Sequence, residues 1–411
     1  MNVGIDLDFF FDGTLGYNIK TTENYKKNLE KCQQASEALI AEIKNKSNEI
    51  LNSFSFDYQN KIKTIREKIV KKKNTLVVGL GGSSAGAKAL SMYLGNSIYF
   101  FDNYDLRYID DFFKKHDLKE FQIYIISKSG NTFETLAMLN LIYQHLLSIS
   151  NKELINNNLV IVTEVADNIL NNFANQNGIQ VVSHNKKIGG RYSVFSETGM
   201  ILFDINPKEI SDSANSVVSK LMENNVDDQS NPTVNAAIIL SLQEQGVKFN
   251  VNLLYDYSLK NYSYWFHQLF AESLGKNENA MTPTTSICPK DHHSMAQLFI
   301  GGPKDKFFNI YPPAHSEHFK SFADLDMGII QKKTPENLLQ SQYLGLVKTF
   351  RNKKIPHRII KFIDKFQSRE ANMLELFSYN ILETIILGYA QNINPYDQPA
   401  VEDIKINTFN S

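Results

Sequence analysis

The stretch FQIYIISKSGNTFETL, residues 121–136, joins an apolar run to a polar turn and then to a helical pattern. Its first six residues are mostly β-branched or aromatic, which is typical of a buried strand, and helical spacing begins near its end. The turn between them, SKSGNT, holds three hydroxyl side chains, a lysine and a glycine. A strand that passes through a polar turn into a helix predicts a βαβ arrangement and hence a parallel sheet.

Strands and helices alternate in the same way on both sides of this stretch. Runs that predict strands lie at residues 75–79, 97–101, 158–162, 179–182 and 249–255. The last of these runs follows a polar segment with the composition of a linker, so the alternation starts a second time. We therefore predict an α/β protein with two domains whose sheets are mostly parallel.

The two predicted domains account for most of the chain. We place the first at residues 71–225 and the second at residues 226–411, where a helix near residues 370–390 precedes a polar loop. Residues 1–70 are rich in Glu, Lys, Gln and Ala with apolar positions at helical spacing, so we expect a mainly helical N-terminal segment. A chain of 411 residues is long enough to bury two such cores.

Composition argues against several classes of partner. The formal net charge is −1 and the isoelectric point is about 6.8, which favours neither nucleic acid nor an anionic membrane surface. Cys32 and Cys288 form neither a CxxC pair nor a metal-binding pattern, and we expect both thiols to stay reduced in the cytoplasm. The acidic N-terminus does not have the pattern of a signal peptide, and no apolar run reaches membrane length.

The hydroxyl-rich turn SKSGNT is a candidate site for an anion. In a parallel sheet, ligands lie beyond the carboxyl ends of the strands, where the next helix offers free N–H groups and a positive dipole end. Ser127, Ser129 and Thr132 would add donors there, Lys128 would add charge, and Gly130 permits a close backbone approach. This pattern predicts a phosphate monoester as the ligand. The alternative is a helix N-cap, for which a single hydroxyl suffices.

A second glycine-rich turn, GLGGSSAG at residues 79–86, follows the first predicted strand of the same domain. No Gly-Lys-Ser/Thr follows it, so it is not a P-loop, and no suitably placed acid favours a dinucleotide. Two anion-binding turns on adjacent strands fit a sugar phosphate better. Gly82 and Ser83 would contact the phosphate or the hydroxyl groups of such a ligand.

Three further stretches carry groups that could move protons or stabilise charge. Arg191 follows two glycines in GGRYSV and could stabilise an oxyanion, or equally form a structural ion pair. Glu272 lies in FAESLGK, on a helix whose other face is apolar, where a partly buried carboxylate could act as a base. By spacing alone, an i,i+4 salt bridge to Lys276 is the simpler interpretation of Glu272. His292 and His293 are adjacent, without the spacing or the further ligands of a metal site.

Several of these stretches together resemble one family of enzymes. SKSGNTFET at residues 127–135 is similar to the phosphate turn of sugar-isomerase (SIS) domains. GGRYSVFSETG at residues 189–199 and YDQPAVEDIK at residues 396–405 resemble the two signatures of glucose-6-phosphate isomerases. With the second glycine-rich turn, FAESLGK and DHHSMAQL, the matches follow the order of that family from residue 79 to residue 405.

The resemblance implies two SIS-type αβα sandwich domains and a homodimer with composite sites. It implies the interconversion of glucose 6-phosphate and fructose 6-phosphate in the cytoplasm, in glycolysis and gluconeogenesis, without a metal or an organic cofactor. Glu272 would be the catalytic base and Arg191 would stabilise the enediolate. His293 and Lys405 would handle the protons of ring opening. The further substrate contacts that the resemblance implies are Gly82, Ser83, Ser127, Lys128, Ser129, Thr132, Gly190, Gln268 and Gln398.

The sequence departs from the family pattern in two places. Ala400 stands where the second signature usually has glycine, and Ser273-Leu274 replaces the common Ser-Asn after the base. These changes leave the acid–base residues in place and bear on the substrate range. Two alternatives remain open: an isomerase that also accepts mannose 6-phosphate, and a non-catalytic SIS domain that only binds sugar phosphates. Turnover of mannose 6-phosphate would distinguish the first, and the joint presence of a base, a histidine and a lysine argues against the second.

Overall fold

The computed structural model of the protein describes residues 1–15, 18–276, 278–315, 334–363, 367–401 and 407–408. Within these residues the strands are β1 (Val3–Asp6), β2 (Asn74–Val78), β3 (Ile98–Phe101), β4 (Phe121–Ile126), β5 (Leu159–Glu164), β6 (Gln180–His184), β7 (Phe249–Leu254), β8 (Thr282–Ile287), β9 (Lys306–Tyr311) and β10 (His357–Phe362).

The helices of the same residues are α1 (Asp8–Phe11), α2 (Glu23–Lys44), α3 (Glu49–Asn52), α4 (Phe56–Arg66), α5 (Ala85–Leu94), α6 (Leu106–Lys115), α7 (Phe133–Ile149), α8 (Lys152–Asn158), α9 (Ile169–Asn177), α10 (Glu197–Met200), α11 (Pro207–Glu223), α12 (Pro232–Glu244), α13 (Lys260–Leu274), α14 (Ala296–Gly301), α15 (Pro335–Asn352) and α16 (Arg369–Ala390). None of these helices combines the length and the hydrophobicity needed to cross a lipid bilayer.

The chain divides into two compact units. Unit A comprises residues 40–217 and 368–378, and unit B comprises residues 1–39, 218–367 and 379–411. The N-terminal segment that the sequence predicts as one piece is therefore divided between the two units within α2. The C-terminal helix α16 likewise begins in unit A and ends in unit B.

In the described residues, unit A has a five-stranded parallel sheet in the order β3-β2-β4-β5-β6. These strands confirm those predicted from the sequence, with ends that differ by one or two residues. All six residues of β4 are buried, which explains why its sequence is one continuous apolar run. Ile123 and Ile125 of β4 share an apolar cluster with Met138 and Ile142 of α7.

Unit B has a sheet in the order β1-β10-β9-β7-β8 within the described residues. Its neighbouring strands are parallel except for β1, which runs antiparallel to β10. Both units together confirm the predicted α/β class with mostly parallel sheets. The sequence analysis did not single out β1, which has only four residues, β8, whose sequence TPTTSI is polar and mostly half-buried, or β9.

A buried charge explains why β10 was also not predicted. Arg358 is the second residue of this strand and is 1 % exposed. Its guanidinium is paired with Glu383 of α16 (Nη2 to Oε2, 2.9 Å) and donates from Nε to Asn309 of β9 at 2.7 Å. An arginine at a core position interrupts the apolar run by which a buried parallel strand is identified.

Candidate active site

The two predicted anion turns lie at the same edge of the sheet in unit A. Val78 at the end of β2 is in register with Ile125 near the end of β4. Because the strands are parallel, the residues that follow them, 79–86 and 127–132, emerge at the carboxyl edge. This edge is where parallel sheets bind their ligands.

Residues 127–132, named here the anion turn, are organised by internal hydrogen bonds. Ser127 is 2 % exposed, and its hydroxyl lies 2.8 Å from that of Thr132. Gly130 has a φ of +68°, and its N–H donates to the carbonyl of Ser127 at 3.2 Å. Thr132 has the N-cap position of α7, yet its side chain makes no capping bond. The N-cap alternative therefore does not account for its hydroxyl, and α7 begins directly after the turn.

The end of β5 and the segment that follows it support the anion turn from one side. The carbonyl of Lys128 accepts hydrogen bonds from the N–H of Glu164 at 3.0 Å and from the hydroxyl of Thr163 at 3.2 Å. The side-chain oxygen of Asn131 accepts from the N–H of Ile169 at 3.1 Å, at the start of α9. Asn131 thus joins the anion turn to the start of α9, a role that the sequence analysis did not predict.

Gly130 is required by its surroundings as well as by its backbone angle. A Cβ atom at this position would lie 2.2 Å from the side-chain oxygen of Asn168. Asn168 is 3 % exposed and its oxygen caps α9 by accepting from the N–H of Asn171 at 2.9 Å. The position therefore excludes a side chain both sterically and through its positive φ.

The stretch GGRYSV, residues 189–194, contacts the second glycine-rich turn, residues 79–86, in unit A. A Cβ atom on Gly82 would lie 2.0 Å from the carbonyl carbon of Gly190, so these two backbones are in direct contact. Ser193 holds the arrangement, with its hydroxyl 3.1 Å from the carbonyl oxygen of Gly82 and 2.8 Å from that of Gly190. This packing brings Gly82, Ser83 and Gly190 together, as expected for one binding region.

Two cations accompany the anion turn. Arg191 is 1 % exposed, and its guanidinium lies 5.2 Å from the ring centroid of Tyr192. Burial lowers the pKa of the Lys128 ammonium below its usual range; Glu164 opposes this shift and the positive charge of Arg191 adds to it. An incoming dianion would be attracted to both cations.

In unit B, Glu272 lies half-buried on α13 and is bonded by its own helix. The side-chain amide of Gln268 donates to Oε1 of Glu272 at 3.0 Å. In the described residues, the partner of Lys276 is Asp397 (Nζ to Oδ1, 2.5 Å), and its ammonium also donates to the carbonyl of Asn394. The simpler interpretation from spacing, a salt bridge between Glu272 and Lys276, is thus wrong.

Glu272 and the described part of the second signature line one cleft. Its volume is about 580 Å³ and we name it the Glu272 cleft. The residues that line it are Ala271, Glu272, Gly275, Lys276, Glu278, Gln398, Pro399, Ala400 and Val401. Two stretches that are more than a hundred residues apart in sequence therefore meet in unit B, and the unusual Ala400 is part of the lining. Lys405 lies outside the described residues.

The two adjacent histidines have different surroundings. His292 is half-buried, and its Nε2 lies 2.7 Å from the hydroxyl of Tyr255. Burial, followed by the neighbouring His293, lowers the pKa of His292. His293 is exposed. No group of three or more His, Cys, Asp or Glu side chains with the geometry of a metal site occurs among the described residues.

Comparison with known proteins gives consistent results. The family model for phosphoglucose isomerase matches residues 25–294. A glucose-6-phosphate isomerase of Methanocaldococcus jannaschii is 32% identical over 341 residues, which is 81% of this chain and 82% of the relative. A probable glucose-6-phosphate isomerase of Methanococcus maripaludis is 28% identical and the match covers 97% of this chain and 92% of the relative.

Solved structures with the same fold include two from bacteria. A hypothetical protein from Thermus thermophilus has a TM-score of 0.83 at 22% identity, with 99% of each chain covered. A glucose-6-phosphate isomerase from Chlamydia trachomatis has a TM-score of 0.70 at 17% identity, with 88% of this chain and 73% of that chain covered. At these identities the likeness concerns the fold.

Proposed function

The chain belongs to the phosphoglucose isomerase family, and from this premise we propose that it interconverts glucose 6-phosphate and fructose 6-phosphate. The reaction opens the sugar ring and then moves one proton between C2 and C1. It would serve both glycolysis and gluconeogenesis in the cytoplasm.

The substrate phosphate is the group that the anion turn suits. Ser127, Ser129 and Thr132 carry hydroxyl donors, the helix dipole of α7 favours negative charge, and Lys128 adds a cation. The phosphate takes no part in the bond changes. Its binding energy can instead be spent on holding the reacting carbons in place.

Glu272 is the proposed base. Its carboxylate takes the proton from C2 of the open-chain aldose, the C2–H electrons form a C1–C2 double bond, and the C1 carbonyl becomes an oxyanion. In the resulting cis-enediolate the C2 hydroxyl proton passes to the C1 oxygen, and Glu272 returns its proton to C1, which leaves a carbonyl at C2 and gives the ketose. Arg191 would stabilise the negative charge of this intermediate.

Ring opening needs a second set of groups. A proton must be delivered to the ring oxygen and one must leave the C1 hydroxyl. We assign these steps to His293, which is exposed and available to a ligand, and to Lys405, on the strength of the family resemblance. Gln268 and Gln398 would contact the substrate hydroxyls.

The observation that carries the proposal is the Glu272 cleft. It brings the carboxylate of FAESLGK and residues 398–401 of the second signature to one cavity. The direct test is an assay in which glucose 6-phosphate formed from fructose 6-phosphate is oxidised by a coupling dehydrogenase. Turnover of fructose 6-phosphate is expected, and a folded protein that binds the sugar phosphate without converting it would refute the activity.

We also propose a homodimer in which His293 reaches the Glu272 and Arg191 of a partner subunit. The support is the family resemblance together with the exposure of His293. His293→Ala and Glu272→Gln homodimers should each be almost inactive. A heterodimer of the two would have one site with both lesions and one with neither, so subunit exchange should restore up to about half of the activity. Verified heterodimers without recovered activity would refute the shared site and leave the isomerase assignment intact.

A further inference from the structure

A buried polar cluster in unit A contains three titratable side chains to which the proposed reaction gives no role. The hydroxyl of Tyr58 donates to Oε1 of Glu197 at 2.7 Å, and Oε2 of Glu197 lies 3.3 Å from Nδ1 of His184. The other ring nitrogen of His184, Nε2, lies 3.3 Å from the carbonyl oxygen of Ile188. His184 is 3 % exposed and Glu197 is 9 % exposed. Buried groups of this kind are tolerated only with such partners.

The cluster closes the loop that carries Arg191. His184 is the last residue of β6 and Glu197 is the first residue of α10, so their contact joins the two ends of residues 185–196. Ile188, whose carbonyl oxygen contacts His184, immediately precedes the glycine pair before Arg191. A small displacement of a charge-stabilising group has a large effect on rate, so this closure bears directly on catalysis.

The partners of His184 fix the number of protons in the cluster. The carbonyl oxygen of Ile188 is an acceptor, so Nε2 must carry a hydrogen to bond it. Nδ1 faces a carboxylate oxygen, and two acceptors cannot bond each other. Either Nδ1 or Glu197 must therefore carry a second hydrogen. His184 and Glu197 together therefore hold one proton more than a neutral imidazole and an ionised carboxylate hold together.

The surroundings place this proton on the imidazole. Burial opposes ionisation of Glu197, but hydrogen bonds from His184 and Tyr58 hold the pKa of its carboxyl below the ordinary value. Burial, followed by the charge of Glu197, raises the pKa of Tyr58, which therefore stays protonated as a donor. Among the described residues, Glu49 of α3 is a further charged group near Tyr58, and its Oε2 accepts from the side-chain amide of Asn185 at 3.0 Å. The lysines of the loop, at positions 186 and 187, are exposed.

We propose that His184 and Glu197 form a buried imidazolium–carboxylate clasp that positions Arg191, with Tyr58 as its third member. All three are positioning residues, because they act through the loop and do not meet the substrate. The part played by Arg191 rests on the proposed function. When the shared proton is lost, the lone pair of Nδ1 faces a carboxylate and the clasp opens.

Two substitutions of Glu197 distinguish the effect of the hydrogen bonds of the clasp from the effect of its shared proton. Glu197→Ala removes both bonds, and we expect kcat to fall about 10-fold with little change in KM, less than the 10²–10³-fold cost of losing an oxyanion donor outright. Glu197→Gln can accept from Tyr58 and donate to Nδ1 of a neutral His184, so its kcat at neutral pH should be close to that of the wild type. As pH rises, wild-type kcat should fall relative to that of Glu197→Gln, because only the wild type has this proton to lose.

Asn158→Ala is the matched control. Asn158 is 3 % exposed and its side chain donates to the carbonyls of Leu118 and Phe121 at 3.0 and 2.8 Å, next to the amino end of β5. This variant should lower the melting temperature and leave kcat unchanged. A folded Glu197→Ala protein with wild-type kcat would overturn the clasp. A Glu197→Gln protein as impaired as Glu197→Ala, or a pH-independent ratio of wild-type to Glu197→Gln activity, would overturn the shared proton.

A second measurement does not depend on activity. Nitrogen-15 chemical shifts of the His184 ring, assigned by comparison with His184→Asn, should report two protonated nitrogens in the wild type and one in Glu197→Gln. A neutral ring in the wild type would overturn the clasp. If the wild type failed to isomerise fructose 6-phosphate, the proposed function would fall, while the ring shifts would still decide the state of the cluster.

Discussion

The anion turn of unit A and the Glu272 cleft of unit B are built in different ways. In the anion turn the backbone itself is fixed: the carbonyl of Lys128 accepts hydrogen bonds from the last two residues of β5, and the side chain of Asn131 accepts one from the start of α9. In the cleft, Glu272 is a half-buried side chain on a helix surface, bonded by Gln268 one turn earlier. A phosphate that does not react is best held by a rigid backbone, whereas a carboxylate that serves two neighbouring carbons must be able to redirect its oxygens.

Substitution of the base should have the largest effect. Glu272→Gln keeps the shape of the side chain but cannot take a proton, so turnover should fall by about 10²–10⁴-fold, the range for a positioned acid–base group. The affinity for a phosphorylated sugar acid should change little, since the anion turn is intact. The control is Glu278→Gln, which alters another carboxylate of the same cleft and should be nearly neutral. Near-normal turnover by pure Glu272→Gln would remove Glu272 from the mechanism.

Arg191→Lys should come next. Lysine keeps the positive charge but lacks the planar pair of donors, so kcat should drop by about 10²-fold while KM shifts only severalfold. Arg66→Lys in the same unit serves as the control, because Arg66 is also a partly buried arginine but pairs with the exposed Asp204 at 2.6 Å. Steady-state kinetics on both variants decide the point. If Arg191→Lys changed KM alone, Arg191 would be a binding residue and not a stabiliser of the intermediate.

The anion turn should affect affinity more than chemistry. Ser129→Ala combined with Thr132→Ala removes two hydroxyl donors, and we expect the inhibition constant of a phosphorylated sugar acid to rise about 10-fold or more, as for lost hydrogen bonds to a charged group. The kcat at saturating substrate should stay within a few-fold of wild type. An unchanged inhibition constant together with an unchanged KM would show that the turn only begins α7 and does not bind the phosphate. Ser148→Ala at the far end of α7 controls for the loss of a helix hydroxyl, since Ser148 donates to the carbonyl of His145 in its own helix.

The smallest effect concerns Lys128 and pH. Burial lowers its pKa, so the ammonium should lose its proton at a lower pH than an ordinary lysine, whose pKa is about 10.4. Anion affinity is present while Lys128 is charged and is lost as pH rises through that lowered value. The KM for fructose 6-phosphate should therefore rise severalfold on the alkaline side. In Lys128→Arg, which stays charged, KM should be flat over the same pH range; parallel profiles for the two proteins would contradict this role.

The sequence predicted unit A better than unit B, for a physical reason. Strands that are buried on both faces, such as β4, appear in the sequence as continuous apolar runs, which can be identified directly. In unit B, β8 is polar at the edge of the sheet and β10 carries the buried Arg358, whose partner Glu383 lies 25 residues away and on another element. No local pattern reveals such a pair.

The candidate site shows the same limit. The three hydroxyls and the glycine of the anion turn were identified because a helix start needs only one hydroxyl. Asn168 and the clasp residue His184 were missed, because each is an ordinary polar residue until the fold brings it against its partner. The salt bridge predicted for Lys276 was wrong because Asp397, far away in sequence, lies closer to it.

The central claim is that Glu272 carries a proton between C2 and C1, and isotope exchange tests it most directly. The wild type and Glu272→Gln would be incubated with fructose 6-phosphate in deuterium oxide, and deuterium at C1 of the ketose and C2 of the aldose followed by proton NMR. We predict that Glu272→Gln binds a phosphorylated sugar acid with wild-type affinity but incorporates deuterium at least about 10²-fold more slowly. Deuterium incorporation at the wild-type rate by the pure variant would show that another group moves this proton.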